Sequence, residues 1–294
     1  MSENHSVAPR GRASHALVVA VLAVAATTGS ATAASDLVTW AGPEGLEVRF
    51  ASQDDLRSFF ETASIEDREA IAEGVTRPTK LLLRRGSVRL HAHFQPIDEV
   101  YDKARTARGE VEIGSRDSYK FNLAAYRLGS LLGLDNIPPS FARSIDRRPG
   151  SITAWVENAF TERDRQENGQ KPPDPQRWGR EVARMVVFDE LIANSDRNQG
   201  NILIGEGWKF WLIDHTRAFR PRTELAEPAA ITTCERDLWI GLKTLSDERL
   251  RGAVVPWLSR REIRGLLSRR QALVAHIETL IRARSEADIL YDLD

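Results

Sequence analysis

Three oxygen-bearing side chains, Asp196, Asn201 and Asp214, follow one another at a spacing that can serve a divalent cation. They lie in "ANSDRNQGNILIGEGWKFWLID", residues 193–214. Two apolar runs flank Gly205-Glu206-Gly207, a pattern that predicts a tight antiparallel hairpin. The open ends of such a hairpin lie side by side. Asn201 at its entry and Asp214 at its exit are therefore expected to meet, with Asp196 just upstream. Two carboxylates and an amide oxygen are hard donors. They suit Mg²⁺ or Mn²⁺ carrying a polyphosphate, because Mg²⁺ takes one or two carboxylates and completes its shell with phosphate and water. Phosphoryl transfer needs such an ion and a carboxylate that orients the attacking hydroxyl. For 196–201 alone, an Asx-rich turn capping a helix end is the competing reading. An EF-hand is excluded, since Gly200 comes one place early and Gly207 stands where a bidentate glutamate is required.

The elements that must position these residues are legible on either side. Upstream, Asp174-Pro175 is a good helix opening, and Trp178, Val182, Met185, Val186, Leu191 and Ile192 keep helical spacing to Asn194. Further back, "KLLLRRGSVRLHAHFQPID" reads as a hairpin turning at Arg85-Gly86-Ser87. In its second strand Val88, Leu90, Ala92 and Phe94 alternate with a polar, solvent-facing set, Arg89, His91, His93 and Gln95. A stretch rich in charge, 102–117, is expected to be a loop. "DSYKFNLAAYRLGSLLGL" reads as a helix capped by Asp117 or Ser118 and ended by Gly133. "LEVRF" and "SITAWVENAF" are strand candidates, and "DDLRSFFETA" a helical one. Residues 161–173, charged and ending in Pro172-Pro173, are the best domain boundary. After residue 230 the pattern is helical throughout. The arginines of its last helix, among them Arg260, Arg261, Arg264, Arg269 and Arg270, read as a solvated face, with membrane docking a weaker alternative.

Composition narrows the classes of partner. Of 294 residues, 41% are hydrophobic and 28% charged, and the formal net charge is −1. No basic, aromatic-interleaved stripe suggests a nucleic-acid groove. Arg10 and Arg12 precede "ALVVAVLAVAA", and Ala31-Thr32-Ala33 follows, the layout of an export signal cleaved after Ala33. That apolar run is shorter than the roughly 20 residues of a spanning helix, so no transmembrane segment is expected after cleavage. The chain is expected in a periplasmic or secreted location. Cys234 is the only cysteine, so no intrachain disulfide can form.

The segment "FDELIANSDRNQGNILI…WLIDHTRAF" resembles the catalytic segment of atypical kinases. The phosphatidylinositol 3/4-kinases carry an Asp-Arg-x-x-x-Asn loop and a following Ile-Asp metal motif; HipA-type kinases and the secretory-pathway casein kinases of the Golgi have related segments. "FNLAAYRLGSLLGLDNIPPS" is similar to the N-lobe helix of those families, so the likeness spans residues 75–225. It implies an α+β, two-lobed protein-kinase-like fold. A small β-containing N-lobe (34–160) and a linker (161–173) would precede a mostly helical C-lobe (174–294). It further implies ATP with Mg or Mn, and a hydroxyl acceptor on protein, sugar or lipid.

By the same resemblance Asp196 is the catalytic residue, and Asn201 and Asp214 are the metal ligands. Trp155, Val156 and Glu157 form the hinge that meets adenine, and Gly86 lies in the turn over the phosphates. Those families pair a strand lysine with a helix glutamate at the nucleotide phosphates. Gln95 and Asn122 stand in the two places. A cation elsewhere (Lys120, Lys80, Arg85 or His93) could substitute, or the phosphates could rely mainly on metal. Alternatively the chain is a pseudokinase, a nucleotide- or metal-binding interaction module. A third reading is transfer of the nucleotidyl group. His91 and His93 share a strand face, but no third zinc ligand follows at telling spacing. His215 reads as a hydrogen-bonding neighbour, and Arg217 either positions phosphate or pairs with an acid. Trp178, Trp211, Trp239 and Trp257 read as core or groove anchors.

Overall fold

Alternating and helical periodicities resolve into a sheet-bearing N-terminal part and a helical C-terminal part. This computed structural model describes Met1 and residues 37–71, 79–105, 109 and 111–293, with 102–105 and 111–115 described by backbone alone. The expected leader, 1–33, falls outside the described residues. Strands β1 (Val38–Ala41) and β2 (Glu47–Phe50) pair antiparallel. Helix α1 (Gln53–Thr62) starts where the Ser52 side chain accepts from Asp55 N, and it buries Leu56, Phe59 and Phe60 on one stripe. There follow β3 (Ser64–Ala70), β4 (Thr79–Arg85) and β5 (Val88–Gln95), the last two joined through Gly86 at φ 63°.

The charged stretch expected as a loop is instead a two-stranded ribbon, β6 (Asp98–Arg105) and β7 (Val111–Ser118), in antiparallel register from Asp98↔Ser118 to Arg105↔Val111. Backbone pairing across a ribbon needs no apolar face, so composition misled here. Helix α2 (Tyr119–Leu131) is capped by Ser118, and the chain leaves it through Gly133 at φ 79°. Strands β8 (Ser140–Ile145) and β9 (Arg148–Ala154) complete a five-stranded sheet in the order β3-β4-β5-β9-β8. Leu81, Leu83, Leu90, Ala92 and Ile152 are buried in the core that also takes α1 and α2.

After β9 come β10 (Phe160–Thr161) and α3 (Glu162–Glu167). The expected linker, 161–173, is thus partly helical, because Thr161 and Asp164 close a capping box at its start. Helix α4 (Pro175–Ile192) opens as predicted, Asp174 accepting from Gln176 N and Arg177 N. It delivers the chain to β11 (Ile202–Ile204) and β12 (Phe210–Leu212), which pair with β10 in the order β10-β11-β12. Strand β13 (Cys234–Glu235) leads into α5 (Arg236–Thr244), α6 (Asp247–Val254), α7 (Arg260–Ala283) and α8 (Glu286–Ile289). The closing strand β14 (Leu290–Tyr291) pairs parallel with β13. One contiguous set of buried apolar side chains runs from the sheet to α7, and residues 36–294 form one compact unit. No described helix is long and apolar enough to cross a membrane.

The arginines of α7 are not all solvated. Arg269 is fully buried; its Nε donates to Leu191 O at 2.9 Å and its guanidinium also donates to Arg220 O and Arg222 O. Burial, with Arg222 nearby, pushes its pKa down to about 9, which leaves it charged at neutral pH. A helix end leaves carbonyls without intrahelical partners, and Arg269 serves one of them at the end of α4. Arg270 is held likewise by Leu245 O and by Asp247 at 2.7 Å.

Candidate active site

Helix α4 ends at Ala193, which takes the left-handed φ of 48° and turns the chain into the polar loop. Arg197 then clamps that loop. Its Nε and one terminal nitrogen donate to the two oxygens of Asp189 at 2.9 and 3.1 Å. Its other terminal nitrogen donates to Asn201 O at 2.7 Å and Ile213 O at 2.8 Å. One side chain thereby ties α4 to both open ends of the β11–β12 hairpin. The asparagines serve the same backbone. Asn194 accepts from Asp196 N, Asn198 accepts from Gly200 N, and Asn198 and Asn201 both donate to Asp196 O at 3.1 Å.

The hairpin pairs Asn201 with Ile213, the residue before Asp214, Ile213 N donating to Asn201 O at 3.2 Å. A carbonyl can only accept, so the Asn201 atom on Asp196 O is the amide nitrogen and its other atom is the oxygen. Asp214 is exposed, sits at φ 50°, and accepts from Thr216 Oγ1 at 2.8 Å. A non-glycine residue in that region carries strain of about 1 kcal/mol or more. Burial raises the Asp196 pKa; Arg217 opposes the rise, and the charges of Asp214 and Asp117 add to it. The loop thus carries a carboxylate with raised basicity beside an exposed carboxylate and an amide.

Asn122 donates to Ser151 Oγ at 3.2 Å and accepts from His215 N at 2.8 Å, so it fastens α2 to the segment just after Asp214. Gln95 is buried and lies opposite Ser151 in the β5–β9 register. The two positions expected for the charged pair are therefore neighbours. The β5 face carrying His91, His93 and Gln95 was expected to be exposed, but His91 and His93 are half-buried and Gln95 buried. Burial lowers the His93 pKa, with Asp214 pulling the other way; this face is partly covered rather than solvated. His91 Nδ1 meets Glu157 Oε1 at 2.6 Å.

Trp155 N donates to His91 O at 3.1 Å, and Trp155 O accepts from Trp40 Nε1 at 2.9 Å, so its backbone groups serve the fold. Val156 and Glu157 follow it toward the β11–β12 hairpin, with Val156 Cγ1 close to Gly205. Gly86 is not brought to the site. It turns β4 into β5 at the Val88 end, seven residues and roughly 23 Å of strand from Gln95. At the Gln95 end lie instead the last residue of β3 and the first of β4, since Ala70 pairs with Thr79 and Thr79 with Phe94.

The four substitute cations are engaged as follows. Lys120 donates to Asp98 at 2.7 Å. Burial pushes the Asp98 pKa up, but Lys120, Arg116 and Ser118 hold it at about 2. Arg85 is held by Asp55 and Ser58 of α1, and Lys80 lies over the Trp155 ring at 4.6 Å. His93 faces Asp214 but is kept neutral by burial. Sequence reasoning missed Asp117, Asp189 and the role of Arg197. Arg217 donates to Asp117 at 3.1 Å and to Asp196 at 3.4 Å. His215 is buried beside Phe188 and accepts at Nε2 from Arg197 at 3.1 Å. Burial first, then Arg197, hold it well below the usual imidazole range. Cys234 is buried and pushed up to about 12, first by burial and then by Glu235, so it is no nucleophile.

Among the described residues no three His, Cys, Asp or Glu side chains are grouped to hold a metal by themselves. The donor set of Asp214 and Asn201 instead fits an ion that completes its shell with phosphate and water, as Mg²⁺ does. A cavity of about 520 Å³ is lined by Trp40, Tyr126, Trp155, Val156, Glu157 and Trp211, and so takes in the three residues expected at the hinge; none of Asp196, Asn201 and Asp214 lines it.

No protein-family model and no curated protein sequence matches the chain. Among solved structures it is similar to hydra Fam20 with sugar, at 15% identity and a TM-score of 0.60 over 81% of this chain and 92% of that one. It is similar to the Golgi casein kinase, at 14% identity and a TM-score of 0.60 over 81% and 78% of the two chains. A Golgi casein kinase with Mn/ADP bound aligns at 13% identity and a TM-score of 0.59, over 81% and 79%. Of the families that the loop resembles in sequence, the Golgi casein kinases are the one represented among these neighbours. At such identities the likeness is one of fold, and the chain has the kinase-like fold of the Fam20 and Golgi casein kinase structures.

Proposed function

We propose that this chain is an ATP-dependent phosphotransferase, an atypical kinase acting on a hydroxyl acceptor. The observation that supports the reading is the Asn201 amide on Asp196 O, with Ile213, the residue before Asp214, paired to Asn201 O. The cleft would lie between lobes 34–160 and 174–294. Asn201 and Asp214 would hold Mg²⁺ or Mn²⁺, whose chemistry there is to neutralise and align the nucleotide phosphates. Val156 and Glu157 would offer hinge backbone to adenine, and Gln95 and Asn122 would flank the phosphates. Asp196 accepts the proton of the acceptor hydroxyl as its oxygen bonds to the γ-phosphorus; the bond from that phosphorus to the bridging oxygen breaks and ADP leaves. Burial of Asp196, which raises its basicity, supports this role. Export through residues 1–33 is part of the proposal, to be checked by fractionation of the expressed protein.

The test is incubation with γ-labelled ATP, Mn²⁺ or Mg²⁺, and a mixed pool of protein, glycan and lipid acceptors. Asp196→Ala should cut label transfer by about 10²–10⁴-fold. Label that follows α- rather than γ-phosphate would replace the kinase reading by nucleotidyl transfer. A Mn²⁺- or Mg²⁺-dependent thermal shift with ATP should disappear in Asp214→Ala; a shift unchanged in that variant contradicts the metal assignment.

A pseudokinase module is the second reading. It is favoured by the neutral Gln95 and Asn122 and by the engagement of Lys80, Lys120 and Arg85 elsewhere. ATP-dependent stabilisation with no transfer to any acceptor would support it.

A further inference from the structure

Asp196 feels the negative charge of both Asp214 and Asp117, at a place where polyphosphate would add more. The expected lysine and glutamate are both neutral amides, so charge balance there must come from the metal and from arginine. Three arginines stand near. Arg197 spends its donors on Asp189, two carbonyls and His215, and its side chain is 9% exposed. Arg220 is buried and donates to Arg116 O and Ser195 Oγ. Arg217 differs from both. Its side chain is 25% exposed, and its two hydrogen bonds go to carboxylates, one buried and one in the loop.

Those two bonds are unequal. Nε lies 3.1 Å from Asp117 Oδ2, and Asp117 is 3% exposed at the junction of β7 and α2, where it cannot follow a moving partner. Its Oδ1 is buried with no hydrogen-bond partner among the described residues, so removal of Arg217 would orphan the whole carboxylate. The terminal nitrogen reaches Asp196 Oδ2 at 3.4 Å, at the long limit of a hydrogen bond. A guanidinium anchored through Nε keeps its outer nitrogens as a fork, and phosphate oxygens match that fork better than one distant carboxylate oxygen does.

We infer that Arg217 is a phosphate-binding residue that exchanges partners. In the nucleotide-free chain its outer nitrogen holds Asp196; when nucleotide binds, that nitrogen moves to the terminal phosphate while Nε stays on Asp117. The exchange provides the cation that Gln95 and Asn122 do not, and it releases Asp196 to face the acceptor. The inference rests on the phosphotransferase reading.

The experiment is isothermal titration of the full chain with ATP, ADP, AMP and adenosine in Mn²⁺. In the wild type, affinity should rise from adenosine to ATP. Arg217→Met should lose about 10-fold or more of the ATP affinity and keep adenosine affinity within about two-fold, since of the contacts to the ligand only those to phosphate are removed. An ATP-to-adenosine ratio unchanged in Arg217→Met overturns the inference while leaving the phosphotransferase reading intact. A wild type that binds no nucleotide overturns both. If Arg217→Met fails to fold, Asp117→Asn/Arg217→Met removes the orphaned charge and carries the same expectation. Arg217→Lys keeps the charge without the fork and should fall between; a ratio equal to wild type in the double variant and in Arg217→Lys again overturns the inference.

Discussion

Arg197 shows how much of this site depends on one side chain. It pairs with Asp189, both partners being largely buried at 9% and 12% side-chain exposure, and it holds the hairpin mouth through Asn201 O and Ile213 O. Removing one member of a buried pair leaves an uncompensated charge and costs about 3–5 kcal/mol. Arg197→Ala should therefore lower the melting temperature by roughly 6–15 °C, read by circular dichroism. Asp189→Ala/Arg197→Ala should recover part of that loss, because no carboxylate is then orphaned. A single variant that melts within a degree or two of wild type would show that the clamp is not needed. Asn122 is the second such residue. Asn122→Ala leaves Ser151 Oγ and the His215 amide without it, which should cost about 2–3 kcal/mol in urea unfolding. The sequence sets Arg197 inside the Asp-Arg-x-x-x-Asn loop and Asn122 where the resembled families carry a glutamate, but their partners lie on other elements.

At the scale of elements, two backbone positions decide how the site is presented. Ala193 closes α4 in the left-handed region, a conformation that costs an L-residue about 1–2 kcal/mol and glycine little. Ala193→Gly should stabilise the chain by up to about 1 kcal/mol, the strain relieved exceeding the extra unfolded-state entropy. Denaturant midpoints compare the two directly. Gly150 is the opposite case. A Cβ there would meet Gln95 O at 2.7 Å and the Phe94 ring at 2.7 Å. Gly150→Ala must part β9 from β5, so it should destabilise by about 1–3 kcal/mol and, on the proposed function, weaken nucleotide binding through displacement of Gln95. Retained stability and unchanged binding would mean that the two strands tolerate the separation.

Over the whole molecule, acid sensitivity should follow from two imidazoles kept neutral by burial, His215 and His93. Their folded pKa values lie below the unfolded value of about 6.5, so the unfolded chain binds more protons as pH falls. The stability they contribute is complete above that unfolded value and is lost as pH drops below it, by at most about 1.4 kcal/mol per pH unit for each group. Protonated His215 would also face Arg197, cation against cation. Urea unfolding at pH 7.5, 6.0 and 5.0 should show the loss, and His215→Gln should flatten it. A wild-type curve level between pH 7.5 and 5.0 would contradict the burial of both rings. The β11–β12 hairpin, the opening of α4 at Asp174-Pro175 and the apolar stripes of α1, α2 and α4 were legible in the sequence, because turns, caps and periodicities are local. The sheet order, the ribbon at β6–β7, the distance of Gly86 from Gln95 and the burial of Arg269 were decided only by the tertiary structure. Arg269 reaches a carbonyl 78 residues away and Arg217 a carboxylate 100 residues away. An arginine's composition and spacing are the same whether it ends in water or on such a partner; burial depends on which surfaces the chain folds against it.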